Sequence, residues 1–296
     1  MKNDNYSVTY FLPNHDNTVQ SFGMSAFHIF KTENGKDIIF KDSPEDYMAL
    51  SEVFHSKACI MLGEPTVKNE LASFDGTGGI TSEVITSPEE TMMDFHGKHP
   101  LHAERLYNPD ETRQVPSQLI QNLNLEFFTK AILQRYSPEF INEFIRVWLT
   151  SNVFANTDTE QGNNIGMIIK DDEVIKMAPN YDFERAALFI PYANTPNRKF
   201  LQQGFSQSNI DYLKSNHKKV CDNYFERLLA LRDNPKFWAL CDFSGIEKFI
   251  LENQFGVHTK PSSIENATDR LTQLSEKVEK GYKERFDMLL DQYSGK

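Results

Sequence analysis

The sequence predicts an α+β protein of two unequal parts. A small antiparallel sheet with one helix fills residues 1–90, and a larger helix-rich part with one β-hairpin fills 91–296. Three observations predict this. Short β-branched and aromatic runs, separated by polar turns, recur over residues 6–86. Apolar residues recur at spacings of three and four over much of 117–293. Between those helices an acidic, amide-rich loop (Asn156, Asp158, Glu160, Asn163, Asn164) leads into a hairpin that ends near Asp182.

In the first part, residues 6–12 read as a strand and 13–20 as a polar loop. Ser21-Phe22-Gly23-Met24-Ser25 forms a glycine-containing turn before a second apolar run at 26–30. Glu33-Asn34-Gly35-Lys36 is a turn signal, and 37–41 is the partner strand, ending in Lys41. Backbone N–H groups of such a turn can hold phosphate oxygens, with Lys41 as the accompanying cation. Ser21, Gly23 and Ser25 are therefore candidate nucleotide-covering residues; an ordinary antiparallel sheet would read the same way. Ser43 as N-cap, Pro44, and Glu45 and Asp46 in the first turn open a helix that stops at Gly63. Glu52 can reach Lys41 if that helix packs behind the sheet; the alternative is a solvated side chain. Two more strands follow at 71–74 and 80–86, around a turn at 75–79. Residues 87–116 are polar and mark the boundary. His96, His99 and His102 read as loop histidines rather than metal ligands, because Gly97 and Pro100 interrupt their spacing.

In the second part, a helix spans 117–136, and another, opened by Ser137-Pro138-Glu139, spans 140–154. The second is heavily apolar, hence buried, and delivers the chain into the Asp158 loop. Strands at 165–169 and 174–177 flank a polar turn. A hairpin sets the start of its first strand beside the end of its second. Asp158, Asn163 or Asn164, and Asp182 should therefore converge, and few hard oxygen ligands of this kind suit a Mg2+ ion that also binds phosphates. Ordinary turn chemistry would place the same residue types there. Residues 183–206 look irregular. Helices follow at 208–233, at 235–255 with a break near Ser244-Gly245, and at 261–293.

With 39% hydrophobic and 25% charged residues the composition is that of an ordinary globular protein. A net charge of -11 argues against nucleic acid or an anionic membrane as the main partner. No stretch has the length of a membrane span or the apolar core of a signal peptide, so a cytoplasmic location is expected; a protein exported to a host cell by other machinery would read the same way. Cys59, Cys221 and Cys241 are widely spaced among apolar neighbours and read as core thiols.

Together these residues resemble the HipA family of bacterial serine/threonine kinases, and in length its short, stand-alone CtkA-type members. The likeness runs from about residue 20 to the C-terminus. Asp158 matches the family's catalytic aspartate, and Asn163 or Asn164 its metal-binding asparagine. Ala178-Pro179-Asn180-Tyr181-Asp182 resembles the Leu-Ala-Pro-x-Tyr-Asp run whose aspartate binds magnesium. Phe40-Lys41 resembles the ATP-contacting strand, and Ser51-Glu52 the helix glutamate. Spacing from Asp158 selects Asn163, whereas Ile165-Gly166-Met167 selects Asn164. Thr159-Glu160 stands where the family usually has Arg-His.

The resemblance implies a bilobal protein-kinase-like fold and an ATP- and Mg2+-dependent serine/threonine protein kinase acting as a toxin or effector. Asp158 would be the base, Lys41 would contact the α- and β-phosphates with Glu52 orienting it, and Ser21 or Ser25 would accept phosphate in autophosphorylation. A protein with a Ser/Thr acceptor and an antitoxin-like protein would be the partners. The likeness begins near residue 20, so the extension that longer members use with a DNA-binding antitoxin is not expected here. Two other readings stay open: a nucleotide-binding pseudokinase or interaction module, and a small-molecule phosphotransferase.

Overall fold

The computed structural model describes residues 5–11, 17–22, 25–31, 37–94, 125–131, 136–156, 164–171, 173–190, 205–255, 261 and 263–295. Six strands form the first sheet: β1 (Val8–Phe11), β2 (Asn17–Phe22), β3 (Ser25–Lys31), β4 (Asp37–Asp42), β5 (Asn69–Phe74) and β6 (Thr77–Glu83). Their order is β1-β5-β6-β4-β3-β2. The sheet is not wholly antiparallel, as expected from sequence, because β1 runs parallel to β5. Parallel neighbours need a long crossover, and everything from β2 to the first helix lies between these two. β2 occupies residues read as polar loop. It pairs along its whole length with β3, from Asn17↔Phe30 to Phe22↔Ser25. As an edge strand it needs only one partner and tolerates a polar sequence.

The turn between β5 and β6 is shorter than residues 75–79. Only Asp75 and Gly76 form it, both left-handed at φ 49 and 76, as a two-residue hairpin requires. Gly78 and Gly79 instead lie within β6, where close contacts exclude a side chain. A Cβ at Gly79 would stand 2.1 Å from the Lys41 carbonyl oxygen.

Helix α1 (Asp46–Leu62) follows β4. Its N-cap is Glu45, not Ser43. The Ser43 amide donates to the Gly78 carbonyl at 3.1 Å, which prolongs the β4–β6 ladder and delays the helix. Gly63 ends it in the left-handed region. Of its 17 residues 13 are buried, so it is enclosed between the sheet and the helical part rather than lying on a surface.

The expected hairpin is β8 (Gly166–Lys170) and β9 (Glu173–Met177). A strand not foreseen, β7 (Glu90–Asp94), pairs with β8 from Glu90↔Lys170 to Asp94↔Gly166 and makes a three-stranded sheet. Seven α-helices and a 3-10 turn are described in the second part. They are α2 (Leu125–Ala131), α3 (Pro138–Val153), α4 (Gln207–Asn216), α5 (Lys218–Arg232), α6 (Pro235–Trp238) with the turn Ala239–Cys241, α7 (Glu247–Glu252) and α8 (Ile264–Ser294). Ser137 caps α3, its hydroxyl accepting from the Phe140 amide. The helix expected over 208–233 is two helices. His217, at φ -130 and ψ 28, ends one and begins the next. The last helix starts after Ser263, which caps it, rather than at Pro261. The three cysteines are buried and free. Among the described residues no helix is long and apolar enough to cross a membrane.

Several contacts weld α1 to the helical part, among them an ion pair of Asp46 with Arg270 of α8 at 2.5 Å. Glu64, just beyond α1, meets Arg227 of α5 at 2.5 Å and Arg146 of α3 at 3.0 Å. Deeper in, the fully buried His55 stacks on Phe183, with ring centroids 4.9 Å apart. Its Nδ1 lies 2.6 Å from the Ser51 carbonyl oxygen and its Nε2 lies against the Tyr282 hydroxyl of α8. A carbonyl can only accept, so the neutral ring carries its proton on Nδ1.

Burial pushes the His55 imidazole down to about 3, whereas an unfolded histidine titrates near ~6.5. The unfolded chain therefore binds this proton first. The stability that depends on the neutral ring is present above about pH 6.5 and is lost as pH falls from there toward about 3. In urea unfolding, the parent protein should lose about 2 kcal/mol more than His55→Gln between pH 7.5 and pH 5.0; equal losses would contradict this account. Gly79→Ala should cost roughly 2 kcal/mol by forcing β4 and β6 apart. An unchanged unfolding midpoint would show that the strands yield freely.

Candidate active site

Lys41 sits in β4 between Phe27 of β3 and Ile80 of β6, so neighbours on both sides fix its backbone. Its ammonium contacts three carboxylates: Glu52 Oε1 at 3.1 Å, Asp182 Oδ1 at 2.9 Å and Glu184 Oε2 at 2.9 Å. Glu52 comes from α1. Asp182 and Glu184 come from the segment beyond β9, so the cluster joins both parts of the molecule.

The Glu52 side chain is only 3% exposed, which rules out the solvated alternative. Its second oxygen accepts from Asn69 Nδ2 at 3.1 Å and from the Phe183 amide at 3.0 Å. Burial pushes the Glu52 carboxyl up to about 7; Lys41 opposes that rise, while Asp182 and Glu184 add to it. Burial alone would lower the Lys41 ammonium, but Glu52, Asp182 and Glu184 together outweigh it and hold the group well above the usual lysine value.

The run 178–181 carries the chain from β9 to Asp182. It is anchored at Asn180, whose carbonyl accepts from the Val67 amide and whose amide donates to the Pro65 carbonyl, both at 2.9 Å. Asp182 is left-handed at φ 55, a conformation aspartate tolerates better than most residues. Two carboxamides hold it there: Asn164 Nδ2 donates to the Asp182 carbonyl at 2.8 Å and Asn156 Nδ2 at 3.0 Å. Asn164 is itself left-handed at φ 60. On the other side, the Ser51 hydroxyl donates to the Phe183 carbonyl. The chain at 182–183 is thus held from the hairpin, from the end of α3 and from α1.

Lys41, Glu52, Asn164 and Asp182 therefore come together. Asp158, Asn163 and Gly23 lie outside the described residues, as do His96, His99 and His102. Ser21 and Ser25 lie on β2 and β3, where Ser21 pairs with Ala26 and Ser25 with Phe22. Sequence reasoning missed Glu184 and Asn69 and gave Asn156 no role. Glu184 had a signal, a second carboxylate two residues after Asp182. Asn69 had none, being one polar residue at the start of a strand.

Glu52, Asp182 and Glu184 each bring a carboxylate oxygen within 4.8 Å of the others. Such hard oxygen donors match Mg2+. Glu52 is committed to Lys41, Asn69 and Phe183. Asp182, at 33% the most exposed of the three, has room for a further ligand. The Asn164 nitrogen is spent on the Asp182 carbonyl, which leaves the carboxamide oxygen as its ligand atom. The donor set thus fits a hydrated divalent cation shared with phosphate.

A scan against protein families and a search of curated proteins find no match. Among solved structures, the Helicobacter pylori proinflammatory kinase CtkA superposes with a TM-score of 0.56 at 14% identity, over 96% of this chain and 99% of that one. Shewanella oneidensis MR-1 HipA, from a complex with HipB and operator DNA, gives 0.47 at 12% identity, over 92% of this chain and 67% of that one. The open conformation of CtTel1 gives 0.43 at 12% identity, over 94% of this chain and 12% of that one. The CtkA likeness is one of fold, and the chain has that kinase-like architecture: a β-sheet N-terminal region followed by a helical C-terminal region.

Proposed function

We propose that this chain is an ATP- and Mg2+-dependent phosphotransferase that acts on serine or threonine of a protein. The observation that carries this reading is the Lys41 ammonium, held between Glu52 of α1 and Asp182 beyond β9. In this reading Lys41 contacts the α- and β-phosphates, and Glu52 orients it. Asp182 and Asn163 or Asn164 hold the metal side of the site; the bond from Asn164 to the Asp182 carbonyl supports a place there for Asn164. Bound Mg2+ would neutralise charge on the phosphate oxygens. Asp158 takes the proton from the acceptor hydroxyl, whose oxygen receives the γ-phosphoryl group as ADP leaves. The turn between β2 and β3 covers the phosphates, and Ser21 or Ser25 accepts phosphate in autophosphorylation. An antitoxin-like protein as partner follows from the family resemblance. Buried free cysteines are in keeping with work in the cytoplasm.

A second reading, nucleotide binding without transfer, is favoured by Thr159-Glu160, which stand just after Asp158 where the family usually has Arg-His. Transfer of labelled phosphate from ATP separates the two. Lys41 is a poor position to test, since its loss strands several acids, which is costly. Asp182→Ala removes one acid and leaves Lys41 paired with Glu52 and Glu184. With Mg2+, Asp182→Ala and Asp158→Ala should each lower transfer at least ~100-fold and still melt cooperatively. Undiminished transfer by Asp182→Ala would overturn its assignment. Mg-ATP binding by the parent protein without any transfer would favour the second reading.

A further inference from the structure

An ammonium group has three hydrogens to donate, and Lys41 has three carboxylates within 3.1 Å. A phosphate oxygen can be taken up only if one of them withdraws. Glu52 cannot do so easily, because its other oxygen is bound to Asn69 and Phe183. The Asp182 backbone is held by Asn156 and Asn164. Glu184 lies on a turn outside any helix or strand, so its carboxylate can swing away at the lowest cost.

Charge points the same way. Fully ionised, the three acids leave two negative charges uncompensated by Lys41. A polyphosphate entering the site adds more charge of the same sign, and an evicted Glu184 stays nearby to repel it. A divalent cation on Asp182 offsets this repulsion.

We propose that Glu184 is a further residue of the nucleotide site: a placeholder for phosphate on Lys41 that makes nucleotide binding depend on a divalent cation. This rests on the phosphotransferase reading above. Glutamine at 184 has the same size and can still accept from Lys41, but without charge it yields readily to phosphate.

The test is calorimetric titration of the full chain with ATP, in Mg2+ and in EDTA, for the parent protein, Glu184→Gln and Glu184→Ala. Unfolding midpoints confirm that each variant is folded. The parent protein should bind ATP in EDTA at least about tenfold more weakly than in Mg2+. Both variants should tighten binding in EDTA about tenfold and change it in Mg2+ by less than about threefold. Unaltered or weaker binding in EDTA would overturn the proposal. A tenfold loss confined to Mg2+ would also overturn it, by making Glu184 a metal ligand. In both of those cases, Mg-ATP binding by the parent protein leaves the phosphotransferase reading intact. If the parent protein binds no ATP in either medium, both fall together.

Discussion

A single ammonium group, shared by carboxylates from opposite parts of the molecule, is what the site depends on. Lys41 belongs to the first sheet, Glu52 to the enclosed helix, and Asp182 and Glu184 to the segment beyond the hairpin. Desolvating such charges is expensive and is tolerated only with close pairing and further hydrogen bonds. Both conditions hold, because Asn69 and the Phe183 amide complete Glu52. The cluster is therefore stable only when the sheet, α1 and the chain at 182–184 are in register. A separation of the two parts would leave acids buried without their cation.

That register is maintained from a distance by the long C-terminal helix. Arg285 of α8 is fully buried, and its guanidinium donates to the carbonyls of Asn152 and Val153 at the end of α3. A cation there also suits the negative end of the helix dipole. One turn earlier in α8, the single hydroxyl proton of Tyr282 serves His55 Nε2, and the same oxygen lies 3.1 Å from the Phe154 carbonyl oxygen. Two residues beyond Phe154 comes Asn156, which holds the Asp182 carbonyl. Packing in the interior thus continues into the backbone of the site. Phe183 is the junction, since α1 meets its amide, its carbonyl and its ring.

Much of this was legible in the sequence, for identifiable reasons. The hairpin at 165–177 could be read because β-branched runs flank a polar turn, and its geometry predicted that Asn163 or Asn164 would meet Asp182; the contact seen is that of Asn164. Glu52 was within reach of Lys41 only if its helix packed behind the sheet, and the fold supplies that packing. β2 and β7 were not legible, because NTVQSF and ETMMD carry few apolar residues; β2 is specified by pairing with the adjacent β3, and β7 by pairing with the distant β8. Ser43 looked like a cap because local chemistry favours it, but a ladder bond to Gly78 prevailed. Asn69 and Asn156 act through contacts across many residues, which spacing cannot show. Glu184 was visible as a carboxylate, but only the fold brings it onto Lys41.

The most direct measurement is a crystal structure of the chain with Mg2+ and a non-hydrolysable ATP analogue. This account predicts a metal on the Asp182 carboxylate, a phosphate oxygen within hydrogen-bond reach of Lys41 Nζ, and the Lys41–Glu52 contact retained. Nucleotide bound away from Lys41, or metal seated without Asp182, would contradict it.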